Sequence, residues 1–126
     1  MSKNRKYEFH GQKRKLKQVV TLAGTGAQSY TISLKDAEIF EFNTNPCTST
    51  QLTLSVTGLY DGASAILDFD SNRANDTLTI QADDGVGDTI LASGSFDDNA
   101  RNYIRLDVLK EDKGAAEIAV IYTTIA

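Results

Sequence analysis

Residues 51–57, Gln-Leu-Thr-Leu-Ser-Val-Thr, alternate strictly between polar and aliphatic side chains. Successive side chains of an extended chain point to opposite sides, so Leu52, Leu54 and Val56 share one face and the polar groups the other. That is a strand with one dry face and one wet face. Moving outward, residues 76–81 repeat the pattern with Leu78 and Ile80, and residues 101–108 repeat it with Ile104, Leu106 and Val108. Further strand candidates cover 19–23, 29–34, 38–43, 63–70, 89–93 and 116–124. The last holds Ile118-Ala119-Val120-Ile121-Tyr122, apolar on both faces, which suits a place inside a sheet. Thirteen threonines fit the same reading, because β-branched side chains pack well on a pleated surface. No stretch of ten residues holds the 3–4 apolar spacing of a helix.

Turn-forming residues recur about every ten positions between these runs. They include Gly24-Thr25-Gly26, Asn43-Thr44-Asn45-Pro46, Asp61-Gly62, Asp83-Asp84-Gly85-Val86-Gly87 and Asp97-Asp98-Asn99. Glycine supplies positive φ, and Asn or Asp folds its side chain back on the local backbone. The glycine-rich pair, 23–27 and 85–87, lack the phosphate-loop pattern and open no helix, so they read as hairpin turns. Residues 111–114 are short enough to join the last two strands as a hairpin. Eight or nine short strands, a single proline and no internal repeat predict an all-β protein. The expected architecture is an antiparallel β-sandwich, jelly-roll-like.

Charge is split along the chain. The whole carries −4 over 126 residues. Residues 1–18 hold seven cations against Glu8 alone, a balance of +6, and residues 19–126 hold six cations and sixteen acids, a balance of −10. The expected domain organisation is therefore a basic N-terminal arm, 1–18, on a β-sandwich domain, 19–126. Extended at ~3.3 Å per residue, eighteen residues reach roughly 60 Å, enough to cross a neighbouring subunit. Candidate partner-binding residues of the arm are Lys3, Arg5, Lys6, Lys13, Arg14, Lys15 and Lys17, with Tyr7 and Phe9 as aromatic anchors. Alternating cations and aromatics also suit single-stranded nucleic acid. Seven cations on duplex DNA would give a salt slope of about −6, without sequence readout.

Several classes of function lose support from composition. Cys47 is the only cysteine, which excludes an intrachain disulfide and a cysteine-based zinc site. No apolar run approaches the ~18–20 residues of a membrane span. The cations at the N-terminus precede no apolar stretch of the kind a secretory signal requires. The one histidine, His10, lies in the arm, away from any packed neighbours that would hold an imidazole against a nucleophile. Asp68 and Asp70 sit two apart on a strand end, with Cα atoms roughly 6.7 Å apart. That separation suits an inverting glycosidase pair, but both would leave one strand together, and the chain has no Trp for a sugar to stack on. Asp68, Asp70, Asn72 and Asp76 form the calcium candidate. The run opens like an EF-hand loop but has Arg73 in place of the invariant Gly and Thr79 in place of the bidentate Glu. The expectation is a non-enzymatic protein without a cofactor.

A basic segment, here 1–18, on a small Thr/Gly/Asp-rich β body resembles the capsid decoration (cement) proteins of tailed bacteriophages. The resemblance implies a structural virion protein, assembled in the host cytoplasm and stabilising the shell. Its partners would be the major capsid protein or another shell protein and further copies of itself, with a trimer favoured. Seven cations in eighteen residues exceed what shell adhesion requires. That leaves a small coat protein contacting packaged nucleic acid as an alternative, and a calcium- or carbohydrate-binding module as another.

Overall fold

The computed structural model describes residues 14–22, 24–44, 47, 49–71, 75–82, 87–111 and 115–125. Its elements are β1 (Lys15–Thr21), β2 (Gly26–Ser33), β3 (Ala37–Asn43), β4 (Thr50–Thr57), β5 (Ser64–Asp70), β6 (Thr77–Ala82), β7 (Thr89–Ser93), β8 (Arg101–Lys110) and β9 (Glu117–Ile125). Among the described residues there is no helix. Every run read as a strand from its alternation is a strand. Their arrangement differs from expectation.

The strands wind into a parallel β-solenoid of about four turns, not an antiparallel sandwich or jelly roll. One sheet runs β1-β3-β5-β8-β9-β7 and the other β2-β4-β6. The chain crosses from one sheet to the other at each step from β1 to β6. β3 therefore returns parallel to β1, β5 parallel to β3, and β4 and β6 likewise stack parallel on β2. Parallel neighbours need a crossover between them, and here the crossover is a strand of the opposite sheet. Gly24-Thr25-Gly26 and Asp61-Gly62 are accordingly corners between sheets, not hairpin turns.

The expectation failed for a definable reason. Clean in/out alternation is ordinarily the mark of antiparallel sheets, because parallel sheets elsewhere are covered by helices on both faces. In a solenoid each parallel sheet has one face on the core and one in water, so its strands alternate in the same way. The repeat was hidden as well. Lys15 lies beside Ala37, Gly26 beside Thr50, Ile39 beside Ile66 and Gln51 beside Thr77, so successive offsets are 22, 24, 27 and 26 residues. A solenoid with unequal corners has no fixed sequence period to detect.

Register makes the core. On the three-stranded sheet Tyr30, Leu54 and Ile80 form one inward row, and Ile32, Val56 and Ala82 the next. On the six-stranded sheet Phe42 and Phe69 are neighbours, their rings stacked with centroids 5.5 Å apart. Phe96, from the β7–β8 connection, meets Phe69 edge-on at 5.1 Å. Phe40, Leu54, Leu67, Phe69, Ile104 and Leu106 are all 0 % exposed. Corner residues Leu22, Leu34, Cys47 and Ala63 are buried too, so the core runs to the edges of both sheets.

After β6 the winding changes. The place beside β5 goes to β8, which runs antiparallel to it. β9 folds back on β8 as the expected hairpin, with a register irregularity between Val108 and Lys110, and β7 pairs with β9 in parallel. β9 has strands on both sides, as its doubly apolar sequence suggested. At the other end, β1 begins at Lys15. Lys15, Lys17 and Gln18, placed by charge in the arm, are part of the solenoid's first strand.

Leu54 is the middle residue of an inward row with a neighbour on each side, so Leu54→Ala should cost about 2–5 kcal/mol. Thr53→Ala, on the wet face of the same strand, should stay within about 0.5 kcal/mol. Urea unfolding of the two variants measures the difference.

Candidate functional site: the two outer faces and the solenoid corners

Five acids of the body, Asp61, Asp76, Asp88, Asp97 and Asp98, lie in connections between strands and accept backbone amides there. Asp76 is 2 % exposed; it accepts the Thr50 amide at 2.9 Å and the Ser71 hydroxyl at 2.8 Å, tying the β5–β6 corner to the start of β4. Asp61 accepts the Glu111 amide at 2.7 Å, Asp88 that of Ala116 at 2.9 Å and Asp98 that of Asn75 at 3.0 Å. A corner leaves backbone donors without a ladder partner, and a carboxylate is a strong acceptor for them. Asn102, fully buried at the start of β8, does the same for the β7–β8 connection. Its amide donates to the carbonyls of Asp97 and Ala100 at 2.9 and 3.0 Å, and its oxygen accepts the Asp97 amide at 2.9 Å. Nothing in the sequence set Asn102 apart from the polar residues of strands generally.

The calcium candidates are not gathered into one cage. Asp68 lies on the outer face of β5 and takes both arms of Arg101, Nε at 2.9 Å and Nη2 at 2.7 Å. Asp70 is on the same face and exposed, Asp76 is spent on the corner, and Asn72 lies outside the described residues. No group of three or more potential metal ligands occurs among the described residues. A cleft of about 520 Å³ opens beside Asp76, Phe96, Asp97 and Asp98, and most of its carboxylates are the ones bound to corner amides.

Of the arm candidates, Lys3, Arg5, Lys6, Tyr7, Phe9 and Lys13 lie outside the described residues, as does His10. The remaining three root the basic run in the fold. Nη1 of Arg14 donates to the Leu34 carbonyl at 3.0 Å and the Ser64 carbonyl at 2.8 Å, joining the β2–β3 corner to the start of β5. Lys15 and Lys17 follow on β1, the outermost strand of the six-stranded sheet. Lys17 reaches Glu41 of β3 at 2.6 Å, and that hydrogen bond holds its ammonium above the usual lysine range. Arg101 is likewise held above the ordinary guanidinium range, by its hydrogen bonds to Asp68.

The outer faces of the two sheets differ in kind. Rows Ser29–Thr53–Thr79 and Thr31–Ser55–Gln81 cover the three-stranded sheet with uncharged polar groups, and Gln81 donates to Ser55 at 3.0 Å. The six-stranded sheet carries ion pairs instead: Lys17–Glu41, Arg101–Asp68 and Arg105–Asp107. Aliphatic and aromatic side chains stand exposed among them. Compared with protein-family models, with curated proteins and with solved structures, the chain matches none.

Tyr122 lies on the inner side of β9, opposite Ile104, and burial pushes its hydroxyl above the ordinary value of 10.0. Gly94 lets the chain pass over it: at φ +81°, an added Cβ would lie 2.9 Å from the Tyr122 carbonyl oxygen. A raised folded-state pKa means the neutral form stabilises the fold fully below the unfolded value. That stability drains away as pH rises through the folded value. Urea midpoints should therefore fall above about pH 10, and Tyr122→Phe should flatten that fall. The calcium reading has its own measurement: millimolar calcium or chelator should leave the melting temperature unmoved, and a rise of several degrees with calcium would restore it.

Proposed function

We propose that this chain is a non-enzymatic attachment protein, a β-solenoid joined by its basic N-terminal run to the shell of a larger assembly. A capsid stabilised from outside is the assembly its charge layout suits. The observation that carries the reading is the root of the basic run. Arg14 is clamped to the carbonyls of Leu34 in the β2–β3 corner and Ser64 at the start of β5, and Lys15 and Lys17 lie on an edge strand. Pull on the N-terminal segment is thus passed into two rungs of the solenoid. The corner carboxylates support the same reading, because they are occupied in holding backbone and are not converging on a substrate. The partner is a shell protein with an acidic surface, and the attraction is long-range and screened by salt.

The test uses the full chain beside a variant with Lys3, Arg5, Lys6 and Lys13 changed to glutamine, which leaves Arg14 and β1 intact. Sedimentation of source material, followed by electron microscopy, should place the natural chain on a large symmetric particle. The variant should stay in the supernatant with its melting temperature unchanged. Recovery of the natural chain only in the slow fraction would overturn the proposal. Release by nuclease would replace it with the packaged-nucleic-acid reading.

A further inference from the structure

Eight large hydrophobic side chains stand exposed among the described residues, and five of them, Val19 (54 %), Leu91 (47 %), Ile125 (43 %), Ile121 (41 %) and Tyr103 (38 %), lie on the outer face of the six-stranded sheet. The other three are Leu16 near the start of β1, Tyr60 between β4 and β5, and Leu109 at the irregularity of β8. Register places four of them in one path. Leu91 of β7 pairs with Ala119 of β9, Ile121 follows two residues on, Tyr103 of β8 faces Thr123, and Ile125 closes the row opposite Arg101. Neighbours offset by two residues on adjacent strands are within reach of large side chains. Leu91, Ile121, Tyr103 and Ile125 therefore make a continuous apolar track across three strands, extended toward β3 by Ile66 and Ile39. Contiguous exposed apolar surface of this kind marks a docking site.

We infer that a second copy of this chain covers this face, the two six-stranded sheets packing face to face about a two-fold axis. Two features favour a copy of the same chain over an unrelated partner. The first is charge. The three ion pairs on the face each close within the protomer, at 2.6 to 2.8 Å, and Lys15 and Lys110 offset Asp70 and Glu117 on the same face, so it is close to neutral on a body whose balance is −10. Two such faces can approach without the repulsion that any other acidic part of the body would meet. The second is size. Six strands at ~4.8 Å and about seven residues at ~3.3 Å give a face of roughly 650 Å², so a pair buries on the order of 1,300 Å². That clears the ~1,000 Å² expected of a specific contact and falls near the lower end of the standard range. Sheets packed face to face in this way are spaced ~10 Å apart, which the apolar track fills.

The inference deepens the proposed role as an assembly component and rests on it, but its test needs no shell. Sedimentation equilibrium of the purified full chain over about 1 to 200 µM should show a monomer–dimer equilibrium. Ile121→Glu and Leu91→Glu, both at exposed positions, should shift the midpoint at least tenfold toward monomer while leaving the melting curve of the dilute protein in place. Thr53→Glu, on the outer face of the other sheet, should leave the dimer intact. The variant lacking four N-terminal cations should dimerise normally even if it no longer attaches to a shell. A chain that stays monomeric throughout would overturn the inference, as would a dimer indifferent to Ile121→Glu. A trimer would overturn it too, since three-fold contacts set unlike surfaces together.

Discussion

The structure depends on strands stacking in register along two sheets that are parallel from β1 to β6. An inward side chain on one rung has its counterpart on the next rung about 4.8 Å away. Tyr30, Leu54 and Ile80, or Phe42 and Phe69, thus pack as rows and not as isolated contacts. A slip of one residue in any strand would turn its whole aliphatic set into water. The corners must therefore deliver each strand in phase. Asp76, Asn102 and the other side chains bonded to corner backbone help to do so, which is why much of the acidity lies there.

This division of labour leaves the surface sorted. Corners hold the acids that bind backbone amides, the three-stranded face is hydroxyl-bearing and uncharged, and the six-stranded face combines charged groups, three pairs of them closed on each other, with exposed apolar groups. Exposed pairs such as Lys17–Glu41 and Arg105–Asp107 contribute little to stability, typically under about 1 kcal/mol each, whereas Arg101 grips the buried Asp68 carboxylate at two points. Their effect is on what may approach. They cancel the field over the only broad apolar track among the described residues, while the basic run leaves from the edge of the same sheet at β1. The proposed self-association would use one face and the proposed tether one edge, so the two would not compete for the same surface.

The capping hairpin matters for the same reason. A solenoid ends in open edges that invite further strands. At the β5 edge, β8 enters antiparallel and breaks the winding, so the next parallel rung cannot form there. The cost falls on β7, displaced to the outside of β9, where Leu91 is left exposed. The apolar track is thus partly a consequence of how the winding is stopped.

Sequence alone determined the strands. Alternation at residues 51–57, 76–81 and 101–108 is a local property that survives any strand order, because a side chain's face depends on its parity in its own strand. The split between a cationic start and an acidic body was legible for the same reason, being a count. Tertiary structure decided what pairs with what. Hairpins and solenoid corners use the same Gly, Asp and Asn chemistry, and parallel sheets with one wet face alternate as antiparallel ones do, so parallel winding left no local mark. Only the fold could show that Lys15 and Lys17 belong to the first strand, that Asp68 answers Arg101 while Asp76 holds a corner, and that Leu91, Ile121, Tyr103 and Ile125, scattered over thirty-five positions, meet on one face. Those are relations between distant residues, and register alone sets them.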